Sequence, residues 1–179
     1  SLCGGAGVSE KPLSTLGFER RYNRFLNLVD EEQFVRELTG DLQPQPPNFK
    51  RIVELNRGPL IEEAPPLEPL TPARAAELVE AGAILLDGRS PREFDAVHVP
   101  GAINVTMVKA AVGARAAWVV DPDAEVVVLA AVDEDARRLA GLLAAVGFTK
   151  LCGFLAGGIA AWQEAGLPLD STPAVDVPA

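Results

Sequence analysis

From Thr71 onward the chain alternates short apolar runs with stretches whose apolar residues recur three or four positions apart. Thr71 can cap a helix and Pro72 suits its first position. Ala76, Leu78 and Val79 then form an apolar face before Gly82 ends it. Residues 83–86 and 126–131 are short and uniformly apolar, and are predicted as buried strands. Between Asp135 and Val146, the positions Leu139, Leu142, Leu143 and Val146 fall at helical spacing, and Gly147 is placed to terminate that helix. A strand is predicted around 150–152, followed by a Gly157-Gly158 turn that opens a short helix through Ala160, Ala161 and Trp162. Strands alternating with helices imply an α/β fold, a mostly parallel central sheet covered on both faces.

The first 66 residues follow a different pattern. Asp30, Glu31 and Glu32 open a short helix with Phe34, Val35 and Leu38 apolar and Gly40 closing it. After Pro46-Pro47 a second helix presents Phe49, Ile52, Val53 and Leu55. Two short helices bury little surface alone, so this appendage is expected to pack against other protein. Between the halves, residues 58–70 (GPLIEEAPPLEPL) hold four prolines in thirteen positions and read as an extended linker. The predicted organisation is an N-terminal piece over 1–57, a linker over 58–70, an α/β domain over 71–170 and a tail over 171–179.

Charge narrows the function. Of the net −9, residues 1–66 carry −2 (8 Lys/Arg against 10 Asp/Glu) and residues 67–179 carry −7 (8 against 15). An acidic half argues against nucleic acid and anionic lipid as partners. No apolar run approaches the roughly 18 residues of a membrane span, and the opening segment does not read as a signal peptide. Cys3 and Cys152 lie 149 positions apart without partners at metal-ligand spacing, which fits a reducing cytoplasm. With one histidine, His98, and no CxxC, an ordinary zinc or iron centre is not expected in this chain.

Two separated stretches carry a family resemblance. LLDGRSPREFDAVHVPGAINV holds Asp87, Arg89, Glu93, Phe94, His98, Pro100, Gly101, Ala102 and Asn104. GFTKLCGFLAGGIAAWQEAGLPL holds Gly147, Phe148, Gly157, Gly158, Ala161, Trp162, Gly166 and Pro168. In this order they resemble the rhodanese signature, with Val97 in place of a usual glycine. The resemblance implies a rhodanese-like three-layer fold. Physically, Asp87, Arg89 and Glu93 suit a charge network pinning the loop after the strand, and Pro100-Gly101 a turn. His98 suits a hydrogen-bonded structural role, and Trp162 a core anchor.

The resemblance also implies a catalytic thiolate in a short loop at the end of the central strand, its charge met by backbone N–H groups and a helix N-terminus. Counting back from Gly147 without a gap places Ala130 at that position, in the run Ala130, Ala131, Val132, Asp133, Glu134, Asp135. Alanine carries no nucleophile, so the loop is read as vestigial and no catalytic residue is assigned. The three carboxylates would repel thiosulfate or a persulfide, and equally they suit the start of a helix. Both readings leave the loop's positive potential neutralised from within. Phosphatase chemistry of the related dual-specificity type needs the same missing cysteine. Cys152 is expected in the core, and Cys3 in a flexible start.

The pieces Ser1-Leu2-Cys3-Gly4, Ser14 to Arg20, the helix containing Phe34, and Pro46-Pro47 before Asn56 are similar to the C-terminal end of metallo-β-lactamase-fold proteins. The group concerned is that of persulfide dioxygenases and glyoxalase II-like proteins, especially those fused to rhodanese domains. This implies a fragment of a larger fusion whose metal ligands, and any iron or zinc, lie outside this chain. Arg20, Arg21 and Arg24 could face an anionic substrate there, or serve as surface charges. Three functions follow. The first is an inactive rhodanese-homology module with a structural, interaction or substrate-presenting role, its partner the upstream domain, another subunit or a second copy. The second is a part of a metal-dependent persulfide dioxygenase or hydrolase. The third is a sulfurtransferase using Cys152 or Cys3.

Overall fold

The computed structural model describes residues 13–40, 44–59, 66–107 and 111–173. Cys3 and the rest of 1–12, the middle of the linker (60–65) and the end of the tail (174–179) lie outside the described residues. The chain divides into two compact units, Ser1–Gln45 and Pro46–Ala179.

Within the first unit, α1 (Leu16–Tyr22) is capped by Thr15, and a 3-10 turn (Arg24–Asn27) follows. Helix α2 (Glu31–Thr39) is capped by Asp30, whose carboxylate accepts from Gln33 N at 2.7 Å. The helix predicted from Asp30 onward is therefore present, whereas α1 had no clear periodic signature. None of these elements contains a buried residue. Leu13, Leu16, Tyr22, Leu26 and Val29 are all more than half exposed, as expected of a piece that lacks a core of its own.

The second unit starts before the predicted linker. Helix α3 (Phe49–Leu55), assigned from sequence to the N-terminal piece, packs with the α/β body. Asn48 Nδ2 donates to Val146 O at 2.8 Å, and Arg51 Nη2 lies 2.6 Å from Asp123 Oδ1. Arg51 also lies across Gly147, where any Cβ would collide with its side chain. Gly147 (φ +101°) thus ends the preceding helix and seats Arg51.

Five strands form one parallel sheet: β1 (Pro69–Leu70), β2 (Ile84–Asp87), β3 (Ile103–Asn104), β4 (Val126–Leu129) and β5 (Leu151–Leu155), in the order β1-β5-β4-β2-β3. Strand β1 corrects the linker reading. Its Pro69-Leu70 backbone is extended, as proline favours, and sits at an edge where a missing N–H does no harm. Phe154 N and Ala156 N donate to Glu68 O and Leu70 O at 3.0 Å.

The helices are α4 (Pro72–Glu80), α5 (Pro91–Ala96), α6 (Val112–Ala116), α7 (Asp133–Ala144) and α8 (Gly158–Glu164). Successive strand side chains alternate between faces, so each buried strand feeds two cores. Leu86, Val126, Val128 and Phe154 join Ala136, Leu139 and Leu143 of α7 and Val112 and Ala116 of α6 on one side. Leu85, Val127, Leu129 and Leu155 join Ala75 of α4 and Trp162 of α8 on the other. These are the three layers expected. Among the described residues no helix is long and apolar enough to cross a membrane.

The β4–β5 register shifts between Val126 and Val127, leaving Cys152 without a partner and Gly153 at φ +150°. A Cβ on Gly153 would stand 2.6 Å from Leu70 Cγ and 2.8 Å from Glu68 O. Gly153→Ala is expected to lower stability by about 1–3 kcal/mol through this strain and contact. Urea unfolding should show it, together with faster amide exchange at Phe154 and Ala156. Wild-type stability would mean that β1 is not held as described.

Candidate active site

The loop 130–132 leaves the central strand β4 and opens α7 at the carboxyl edge of the sheet. In parallel sheets, ligand-handling loops gather there. Ala130 is 3% exposed, its methyl within the core, while Ala131 and Val132 are exposed. Gly158 (φ +59°) lies against this loop, where an added Cβ would come 3.1 Å from Ala130 O. Only glycine fits that approach comfortably.

The acidic residues open α7 but do not cap it. Its N-cap is Val132, extended and without a side-chain cap bond. Asp133 instead turns toward the α8 turn, where its Oδ1 accepts from Gly157 N at 3.0 Å. A carboxylate of this chain therefore holds one of the amides flanking the loop. Asp133, Glu134 and Asp135 all occupy the first turn, where their charge opposes the helix's positive end. Arg137, also near the loop, lies over the Phe154 ring at 4.5 Å.

The signature after β2 is a scaffold. Asp87 is fully buried and Arg89 5% exposed. Arg89 Nη2 reaches Asp87 Oδ2 at 2.6 Å and Val97 O at 2.8 Å, while Arg89 Nε and N also donate to the same carboxylate. Asn104 Nδ2 donates to Asp87 O and Arg89 O. Glu93 does not join this pair. It closes a capping box with Ser90, whose N and Oγ donate to its carboxylate. Those Ser90 bonds hold the Glu93 pKa below its ordinary value, with a smaller contribution from Arg89.

His98 Nδ1 lies 2.8 Å from Phe94 O, its ring stacked on Phe94 at 4.1 Å, and its backbone pairs with Asp170. That ring is held structurally. Gly101 (φ +77°) turns the chain after Pro100. Trp162 is 3% exposed and its Nε1 donates to Pro168 O at 2.9 Å. Sequence reasoning missed Gly88, whose N donates to Leu129 O and where a Cβ would stand 2.6 Å from Leu139 Cδ2. A glycine immediately after a strand-ending aspartate was the available sign.

Cys152 sits in the bulge of β5, level with the start of β4. Ala130 lies beyond the far end of β4, roughly 10 Å or more along the strand. Burial raises the Cys152 pKa above that of an ordinary cysteine, and the nearby Glu125 charge adds to it. At neutral pH this group is a thiol, with less thiolate than a free cysteine. Iodoacetamide is expected to alkylate it more slowly than free cysteine at pH 7–8, the rate climbing only at a pH higher than free cysteine needs. Fast neutral-pH alkylation would contradict this placement. Among the described residues, no three His, Cys, Asp or Glu side chains gather in an arrangement that could hold a metal ion.

Residues 71–165 match the family model described as "Rhodanese-like domain", more than half of the chain. The chain belongs to the rhodanese-like family. No curated protein matches. Among solved structures, the Alr3790 protein of Anabaena sp. is 24% identical with a TM-score of 0.52, over 57% of this chain and 92% of that one. A metallo-beta-lactamase of Staphylococcus aureus subsp. aureus COL is 20% identical with a TM-score of 0.57, over 80% of this chain but 40% of that one. The polysulfide-sulfur transferase homodimer of Wolinella succinogenes is 25% identical with a TM-score of 0.49, over 59% of this chain and 79% of that one. The staphylococcal match covers more of this chain than residues 71–165 do.

Proposed function

We propose that this chain is a catalytically inactive rhodanese-homology module of a sulfur-metabolism fusion protein, acting in packing, interaction or presentation of a substrate. The observation that carries the reading is the loop after β4. Counted back from Gly147, Ala130 falls at the nucleophile's position and offers only a methyl group, and the Asp133 carboxylate already holds Gly157 N–H. The fusion is supported by the staphylococcal likeness, which runs beyond the rhodanese-like domain. On this reading the partner is an upstream metallo-β-lactamase-fold domain or another subunit, with a homodimer as the alternative. Any iron or zinc belongs to the complete metal domain, and the protein works in the cytoplasm.

A thiosulfate-to-cyanide assay on this chain tests the reading, and no turnover above background is expected. Turnover abolished by Cys152→Ala would overturn it in favour of a sulfurtransferase with a non-standard cysteine. The second reading, a part of a metal-dependent persulfide dioxygenase or hydrolase, shares the fusion. Gene sequence upstream of Ser1 tests it. A His-x-His-x-Asp-His stretch would support it, and an unrelated upstream sequence would remove it.

A further inference from the structure

Helix α3 lies ahead of residues 71–165 and contributes no buried residue to the α/β body. Ile52, Val53 and Leu55 are half-buried and join neither hydrophobic core, and Phe49 is 42% exposed. Its attachment is polar instead. Asn48 Nδ2 donates to Val146 O at 2.8 Å, Arg51 Nη2 reaches Asp123 Oδ1 at 2.6 Å, and the Arg51 stem lies across Gly147. The ion pair is partly solvated, with side-chain exposures of 33% and 62%, so water and salt weaken it.

The anchor also carries a penalty. Asn48 is 3% exposed, and its Nδ2 bond fixes the amide's orientation, because turning it over would set two acceptors against each other. Oδ1 is then a buried acceptor with no partner. Water would satisfy that oxygen once α3 lifted away, so the unmet acceptor favours release. A released α3 has little reason to stay helical. Its seven residues fall short of the about 12–15 at which an isolated helix is even marginal in water. Pro46 and Pro47 before it and Pro59 after it oppose any lengthening.

We propose that α3 is a releasable strap, which detaches and unwinds as one unit while the five-stranded sheet stays folded. Two polar contacts and an arginine stem close it. An unmet acceptor and the regained freedom of the backbone open it. On release, residues 46–58 lengthen the connection that leads into β1, and Gly147, just past the C-terminal end of α7, loses its cover.

The test is native-state hydrogen exchange, followed by NMR on the full 15N-labelled chain. The reporters in the strap are Ile52 N, which donates to Asn48 O, and Asn56 N, which donates to Ile52 O. Those in the sheet are Gly88 N and Val126 N, bonded to Leu129 O and Lys150 O. The strap amides should exchange at least about 100-fold faster than the sheet amides after correction for intrinsic rates. Ile52 and Asn56 should agree within about threefold, and low urea should barely change them, since release exposes little surface. Arg51→Ala should speed both by about three- to tenfold. Gly153→Ala weakens the sheet, so it should speed Gly88 and Val126 at least about fivefold and leave the strap amides within about twofold of wild type. Should that variant not fold, the urea dependence of the wild type separates the same two cases. Strap amides that exchange as slowly as the sheet, or that follow it in Gly153→Ala or urea, would overturn the proposal. So would a fast Asn56 beside an Ile52 as slow as the sheet, which is fraying of one end, or strap exchange unaffected by Arg51→Ala.

Discussion

Replacing Arg89 with alanine is expected to destabilise the domain by about 3–5 kcal/mol, against the roughly 5–15 kcal/mol that holds a typical domain folded. The size comes from what would be left behind. The Asp87 side chain has no exposed surface and that of Arg89 only 4%. Removing the guanidinium strands a carboxylate at the end of β2 and also leaves Val97 O without its donor. Asp87→Ala with Arg89→Met removes both charges and replaces them with apolar volume, so it should cost much less than the single change. Urea unfolding of the three proteins by circular dichroism measures both effects. A loss below about 1 kcal/mol for Arg89→Ala would mean the pair is solvated and the loop is held by something else.

Placing a cysteine at Ala130 is expected by itself to confer little sulfur-transfer chemistry. In Ala130→Cys the new thiol would occupy the end of β4, but a persulfide there would form beside three carboxylates in the first turn of α7. Two charges a few ångströms apart repel by about 1 kcal/mol in water and by several where solvent is partly excluded. Gly157 N–H would remain committed to Asp133. Adding Asp133→Ala and Asp135→Asn removes both obstacles. Sulfur transfer from thiosulfate should then exceed that of the single variant by about 10- to 100-fold, the equivalent of about 1.4–2.7 kcal/mol. Cyanide-dependent thiocyanate formation gives the rate, and intact-mass measurement reports the persulfide. A fully active single variant would show that only the thiol was lost and that the acidic turn is incidental.

The core was legible wherever a residue's neighbours along the chain decide its state. The runs at 83–86 and 126–131 are apolar because both faces of a parallel sheet are covered, and β2 and β4 appear there, one residue late and two residues short respectively. Asp133 opens α7 two residues before the predicted start because acidic residues suit a first turn. Strands β1 and β3 each have two residues and no periodicity to read, so only their partners reveal them.

The site was legible in a similar proportion. The rhodanese signature located the scaffold of Asp87, Arg89, His98 and Trp162, while the assignment of Ala130 rests on the spacing from Gly147 alone. The role assigned to Glu93 needed correction, because a capping box with Ser90 competes for the same carboxylate over a shorter reach.

By itself, then, the sequence determined the α/β class and the rhodanese-like half, and proposed Ala130 for the position of the thiol. Each is written in residue identity or in local spacing. Only the tertiary structure decided that α3 belongs to the α/β unit, that Asp133 holds Gly157 N–H, that Cys152 lies at the far end of the strands, and that Asn48 keeps a buried acceptor unmet. Those facts join residues 24 to 98 positions apart in the chain, or depend on burial, and neither propensity nor periodicity carries information across such distances.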